Sequence, residues 1–112
     1  MNTYLVIVRG GMPGYKKLNE DGRKSFRDKW SAYIGELTQS RNWVKGHPLH
    51  ETGRLVPKKK EAVQGVVGQD DMRINGFMVL EAQDYDAAVR LCDNCPSFEI
   101  GGNLEIREVT EL

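Results

Sequence analysis

The sequence predicts an α+β domain in which two helices cover one face of a mainly antiparallel sheet. Three observations carry that prediction. Tyr4, Leu5, Val6, Ile7 and Val8, and later Phe77, Met78, Val79 and Leu80, form short runs that are apolar at every position, as buried strands are. After each run, apolar residues recur at helical spacing: Phe26, Trp30, Tyr33, Ile34 and Leu37, then Tyr85, Ala88, Leu91, Cys92 and Cys95. Beyond a Gly101–Gly102 turn, Leu104 and Ile106 alternate with Glu105 and Arg107 as in a last, half-buried strand.

Taken in order, the first strand runs into residues 10–22, which carry Gly10, Gly11, Pro13, Gly14 and Gly22 without apolar periodicity. That connection exceeds the usual ~4–6 residues and reads as a binding loop or a solvated one. The first helix is expected over residues 23–40. Gly35 lowers its intrinsic stability by about 1 kcal/mol relative to Ala, so a close approach to a strand is the expected reason for it. Trp43 and Val44 then lead into a turn at Gly46, His47, Pro48 and Leu49. Residues 53–57 and 61–67 read as two shorter strands about Lys58, Lys59 and Lys60, where lysine suits an exposed edge hairpin. Residues 68–75 form a polar connection into the central strand. Asp84 is a good N-cap for the second helix, and Pro96 stops its winding.

At 112 residues the chain makes a single domain, 1–112, large enough for one core without metal or disulfide staples. Sixteen basic residues balance sixteen acidic ones, so no long-range field steers the chain toward nucleic acid or anionic lipid. No apolar run approaches the roughly 20 residues that a membrane span requires. The opening segment has no leading positive charge and ends in Arg9, unlike a signal peptide. Two cysteines without a secretory signal fit a reducing, cytoplasmic setting.

Two helices cover only one side of a sheet whose central strands are apolar on both. The economical cover for the second side is a second copy of the same sheet, which predicts a homodimer. Several apolar side chains at ~1.5–3 kcal/mol each favour that arrangement over a bare face.

The order and spacing of several short motifs also resemble a known family. They are Trp30-x-x-Tyr33-Ile34-x-x-Leu37, Gly46-x-Pro48-Leu49, Gly53-x-x-Val56, Gly76-Phe77-Met78-Val79 with Glu81-Ala82, and Asp86-Ala87-Ala88-Val89. Cys95-Pro96 and Gly101-Gly102-x-Leu104-Glu105-Ile106-Arg107 complete the set. Together they resemble the YCII-related, or DGPF-domain, proteins. The resemblance implies a ferredoxin-like sandwich that dimerises through its sheets into an α/β barrel, with a cleft for a small molecule. It also implies, in some members, a catalytic histidine and aspartate. The Asp-Gly-Pro-Phe signature falls here at Gln64-Gly65-Val66-Val67, and the histidine falls near Lys29 or Trp30, so neither role carries over.

From the residues themselves, Arg9, Arg107, Glu81 and Glu105 are candidates at the sheet margin. The arginines suit a ligand carboxylate or phosphate; the competing reading has them pair with the glutamates. His47 and His50 are candidate bases or ligand contacts, since histidine as a residue type suits proton transfer, although neither has a nucleophile beside it in sequence. Cys92-Asp93-Asn94-Cys95 and His47-Pro48-Leu49-His50 together hold four soft or borderline zinc donors. The cysteines lie on the core stripe at a helix C-terminus, where the dipole opposes thiolate formation, so neither metal nor redox chemistry is expected and no cofactor is assigned. Asp70–Asp71 and Asp84/Asp86 are explained by solvation and capping. Lys58 to Lys60 is too short a run for a nucleic-acid footprint. The expected function is a homodimeric small-molecule binder for an anionic ligand. The alternatives are a cofactor-independent enzyme on the same fold and an interaction module without ligand.

Overall fold

A computed structural model describes residues 1–68 and 72–112. Asp70 and Asp71, read from the sequence as solvated, lie outside the described residues. The elements are β1 (Asn2–Gly10), α1 (Met12–Lys16), α2 (Glu20–Gln39), β2 (Trp43–Pro48), β3 (Thr52–Lys58), β4 (Glu61–Val66), β5 (Ile74–Ala82), α3 (Tyr85–Leu91), a 3₁₀ turn (Pro96–Ile100) and β6 (Gly102–Glu108).

Four strands form one antiparallel sheet in the order β2-β5-β1-β6. The connection from β1 to β2 through α2 passes over β5, and that from β5 to β6 through α3 passes over β1. This is the ferredoxin-like arrangement, an α+β sandwich with its helices on one side. Strand alternation then sorts the side chains. Tyr4, Val6, Val8, Met78, Leu80 and Ala82 are buried on the helix-facing side with Tyr33, Leu37, Ala88, Cys92 and Cys95. Leu104 and Ile106 pack against the same core. Leu5, Ile7, Phe77 and Val79 lie on the opposite side and are only half-buried.

The helix termini follow local chemistry. Asn19 caps α2 by accepting from the Gly22 N–H at 2.7 Å, which starts the helix three residues before the expected residue 23. Asp84 caps α3 as expected, accepting from the Ala87 N–H at 2.8 Å. The second helix is shorter than expected, since α3 ends at Leu91 and Cys92 to Cys95 lie in the turn beyond it; Pro96 instead opens the 3₁₀ turn, a proline position that needs no N–H.

Four expectations require correction. Residues 10–22 are not a plain loop. Gly11 at φ 82° turns the chain and Pro13 starts the short α1. The segment around Gly46 is not a turn but the edge strand β2, with Gly46 opposite Met78 and His47 opposite Phe77. A Cβ at Gly46 would stand 2.7 Å from both the Phe77 carbonyl oxygen and Trp43 Cη2, so glycine there serves close strand and ring approach. The β3–β4 hairpin forms as expected but makes a separate two-stranded sheet. Gly35 has no packing reason, because a Cβ there would meet nothing within 4 Å.

Candidate functional site

Where β1, β5 and β2 run under the first half of α2, the helix-facing positions are Gly10, Gly76, Gly46 and Pro48. With glycine at three of these four positions, the strands cannot fill the space beneath the helix. The result is a cleft of about 550 Å³, within the size range of small-molecule sites. Its roof is the α2 face bearing Phe26, Arg27, Trp30, Ser31 and Ile34. Its floor is Val8, Gly76 and Met78, with Trp43 on β2 along the edge. Met12 and Tyr15 of α1 close one end, with Ser97 and Ile100 of the 3₁₀ turn beside them.

The closing element is held by close backbone approach. A Cβ at Gly14 would run into the Ile100 carbonyl oxygen, so α1 lies directly on the 3₁₀ turn. Tyr15 then packs at 5.8 Å from Phe26, and the Arg23 guanidinium stacks 5.0 Å over its ring. Behind α1, buried Arg73 donates from Nε to the Val67 carbonyl and from Nη2 to the Gly68 carbonyl. It also meets Glu51, which in turn pairs with Lys16 at 3.0 Å. This cluster ties α1, the hairpin root and the start of β5 together, and no periodicity in the sequence announces it.

The candidate residues from the sequence divide between the two sides of the sheet. His47 belongs to the cleft wall, but strand alternation places its side chain with Phe77 on the open face, ring centroids 6.1 Å apart. His50 is exposed between β2 and β3 and does not line the cleft. Arg9, Glu81, Glu105 and Arg107 also lie on the open face. Arg9 pairs with Glu105 at 3.0 Å and Arg107 approaches the same carboxylate at 3.8 Å. The cleft instead contains Arg27, which the sequence reading passed over because it adjoins the core stripe rather than lying on it. Among the described residues Arg27 has no ion-pair partner.

The cysteines and histidines do not meet. Among the described residues no group of three or more His, Cys, Asp or Glu converges. Cys92 and Cys95 are buried free thiols in the core. Burial, followed by the neighbouring Cys95, pushes the Cys92 thiol up to about 11, and burial raises Cys95 as well. Burial likewise raises Tyr33, whose hydroxyl donates to the Leu91 carbonyl at 2.7 Å.

No family model matches the chain, and no curated protein matches it in sequence. Among solved structures it is similar to 5-chloro-2-hydroxyhydroquinone dehydrochlorinase (TftG) from Burkholderia phenoliruptrix, in complex with 2,5-dihydroxybenzoquinone. The match covers 96% of this chain and 93% of that one, at 17% identity and a TM-score of 0.53. The likeness shows a shared fold. Among the described residues, no helix is long and apolar enough to cross a membrane.

Proposed function

We propose that this chain binds a small, flat, largely apolar anion in the cleft beneath α2, as a homodimer joined through the open faces of its sheets. The observation that carries the reading is an aromatic-lined cleft with one guanidinium that has no ion-pair partner among the described residues. Tyr15, Phe26, Trp30 and Trp43 offer ring surface for a flat ligand, and Arg27 offers a charge and paired donors for its anionic group. TftG holds 2,5-dihydroxybenzoquinone, a flat molecule that ionises as a vinylogous acid, which supports that ligand class on this fold. The motif order described above supports placement among the YCII-related proteins.

Binding fits better than turnover. Among the cleft residues the one imidazole is that of His47, and its ring lies with Phe77 on the other side of the sheet. The homodimer is supported by Leu5, Ile7, Phe77 and Val79, an apolar patch across the two central strands that the chain's own helices do not cover.

Calorimetry and Trp fluorescence with 2,5-dihydroxybenzoquinone and a panel of flat monoanions test the binding. Quenching of Trp30 and Trp43 is expected, with affinity falling roughly tenfold or more in Arg27→Ala, the scale of a charge-assisted pair. No quenching by any member of the panel would remove the cleft as a ligand site. A wild-type chain that sediments as a monomer at micromolar concentration would remove the homodimer.

A further inference from the structure

The β3–β4 hairpin has a firm root and an uncovered shaft. At the root, Arg73 grips the Val67 and Gly68 carbonyls, and the Val67 N–H donates to the Glu51 carbonyl at 3.2 Å. Beyond it, every residue from Arg54 to Gln64 is exposed. These include Leu55, Val56 and Val63 at 55%, 59% and 56% of full exposure, and Leu55 faces Val63 across the ladder. A lone two-stranded hairpin is marginal in water, and among the described residues the shaft of this one is left uncovered by the rest of its own chain. A hairpin with apolar residues and a fixed root has the form of an arm that closes on something else.

Charge points to what that is. Residues 52–66 hold Arg54, Lys58, Lys59 and Lys60 against Glu61 alone, a net charge of three positive. Because the whole chain is neutral, the remainder carries three negative charges. The arm and the body are thus complementary between copies. One carboxylate on the open face makes the match specific. Glu81 is half-buried and has no ion-pair partner among the described residues. Covering the open face with a second sheet would bury it further, and a buried carboxylate without a cation is costly.

We propose that the β3–β4 hairpin is an exchange arm that lies on the second copy of this chain. Its apolar residues are covered there, and its cations are set against that copy's acidic body, Glu81 first among the acids. The proposal rests on the homodimer proposed above and adds what holds it closed.

The test uses the full chain with two sets of exposed substitutions, Leu55→Ser with Val63→Ser, and Lys58→Glu with Lys59→Glu and Lys60→Glu. Analytical ultracentrifugation should show a dimer that loosens with salt and is weakened roughly tenfold or more by each set, while circular dichroism stays unchanged. Carbodiimide coupling of mixed light and heavy chains should join an arm lysine to Glu81 of the other copy. A dimer of wild-type strength in both variants would overturn the arm and leave the sheet-face dimer standing. A wild-type monomer at about 100 μM would overturn both. Arm lysines protected by duplex DNA or anionic vesicles, with self-association untouched by either set, would assign the arm to a different partner.

Discussion

The two faces of the four-stranded sheet have nearly the same chemistry and opposite surroundings. On the helix-facing side Tyr4, Val6, Met78 and Leu80 are at most 2% exposed. One residue along each strand, Leu5, Ile7, Phe77 and Val79 are just as apolar and remain half-buried. Composition therefore does not decide burial here. The crossovers through α2 and α3 place both helices on one side, and the other side is left to whatever the chain meets. The cleft adds a second contrast, since it opens on the covered side where the strands carry glycine and no side chain fills the gap.

Substitutions can break that contrast or sharpen it. The largest effect is expected from Leu80→Ala, which opens a cavity on the fully covered side. Chemical denaturation should show a loss of about 2–5 kcal/mol, whereas Leu5→Asp on the open face should cost the single chain far less and abolish self-association in sedimentation. If the two cost the single chain equally, the faces are not distinct. Gly14→Ala should cost about 1–3 kcal/mol and expose Tyr15 and Phe26 to solvent, because its Cβ cannot fit against the Ile100 backbone; an unchanged melting temperature would mean α1 does not dock there.

The thiols report on the same covered side. Their folded-state ionisation lies above the ordinary value of 9.0 because burial disfavours the thiolate. The unfolded chain therefore loses protons first, so stability is intact below pH 9 and falls as pH rises toward about 11. At pH 8 alkylation of native Cys92 should be roughly hundredfold slower than in the unfolded chain, and equal rates in a quench assay would show an open core. The smallest effect is a gain. Gly35→Ala on the solvent side of α2 should stabilise the fold by about 0.5–1 kcal/mol, since glycine there has only its entropic cost; a destabilised variant would point to an unseen contact.

The strands and helices were legible wherever one residue type repeated at one period. The runs at 4–8 and 77–80, the Trp30 to Leu37 stripe and the Asp84 cap each state their own structure. Legibility failed where a residue served a neighbour distant in sequence. Trp43 to Pro48 has no strand alternation of its own and becomes β2 because β5 offers it a free edge. Arg73 looks like one more charge in a polar connection, yet it is buried against carbonyls from Val67 and Gly68. The candidate site was legible in part. The glycine-rich stretch and the strand around His47 do border the cleft, but Arg27 is an exposed helix residue whose place at the cleft no local pattern marks, and Arg9 and Arg107 share Glu105 on the other side of the sheet.

By itself the sequence determined which segments would be apolar, that Asp84 would cap α3, and that the central strands would be greasy on both sides, because those properties depend on neighbours one to four residues away. Tertiary structure alone decided that β2 pairs with β5, that the hairpin stands off the body, and that glycines from three separate strands meet beneath α2 to leave a cavity. Those outcomes depend on contacts between residues tens of positions apart, and the local pattern of side chains carries no record of which distant backbone will lie alongside.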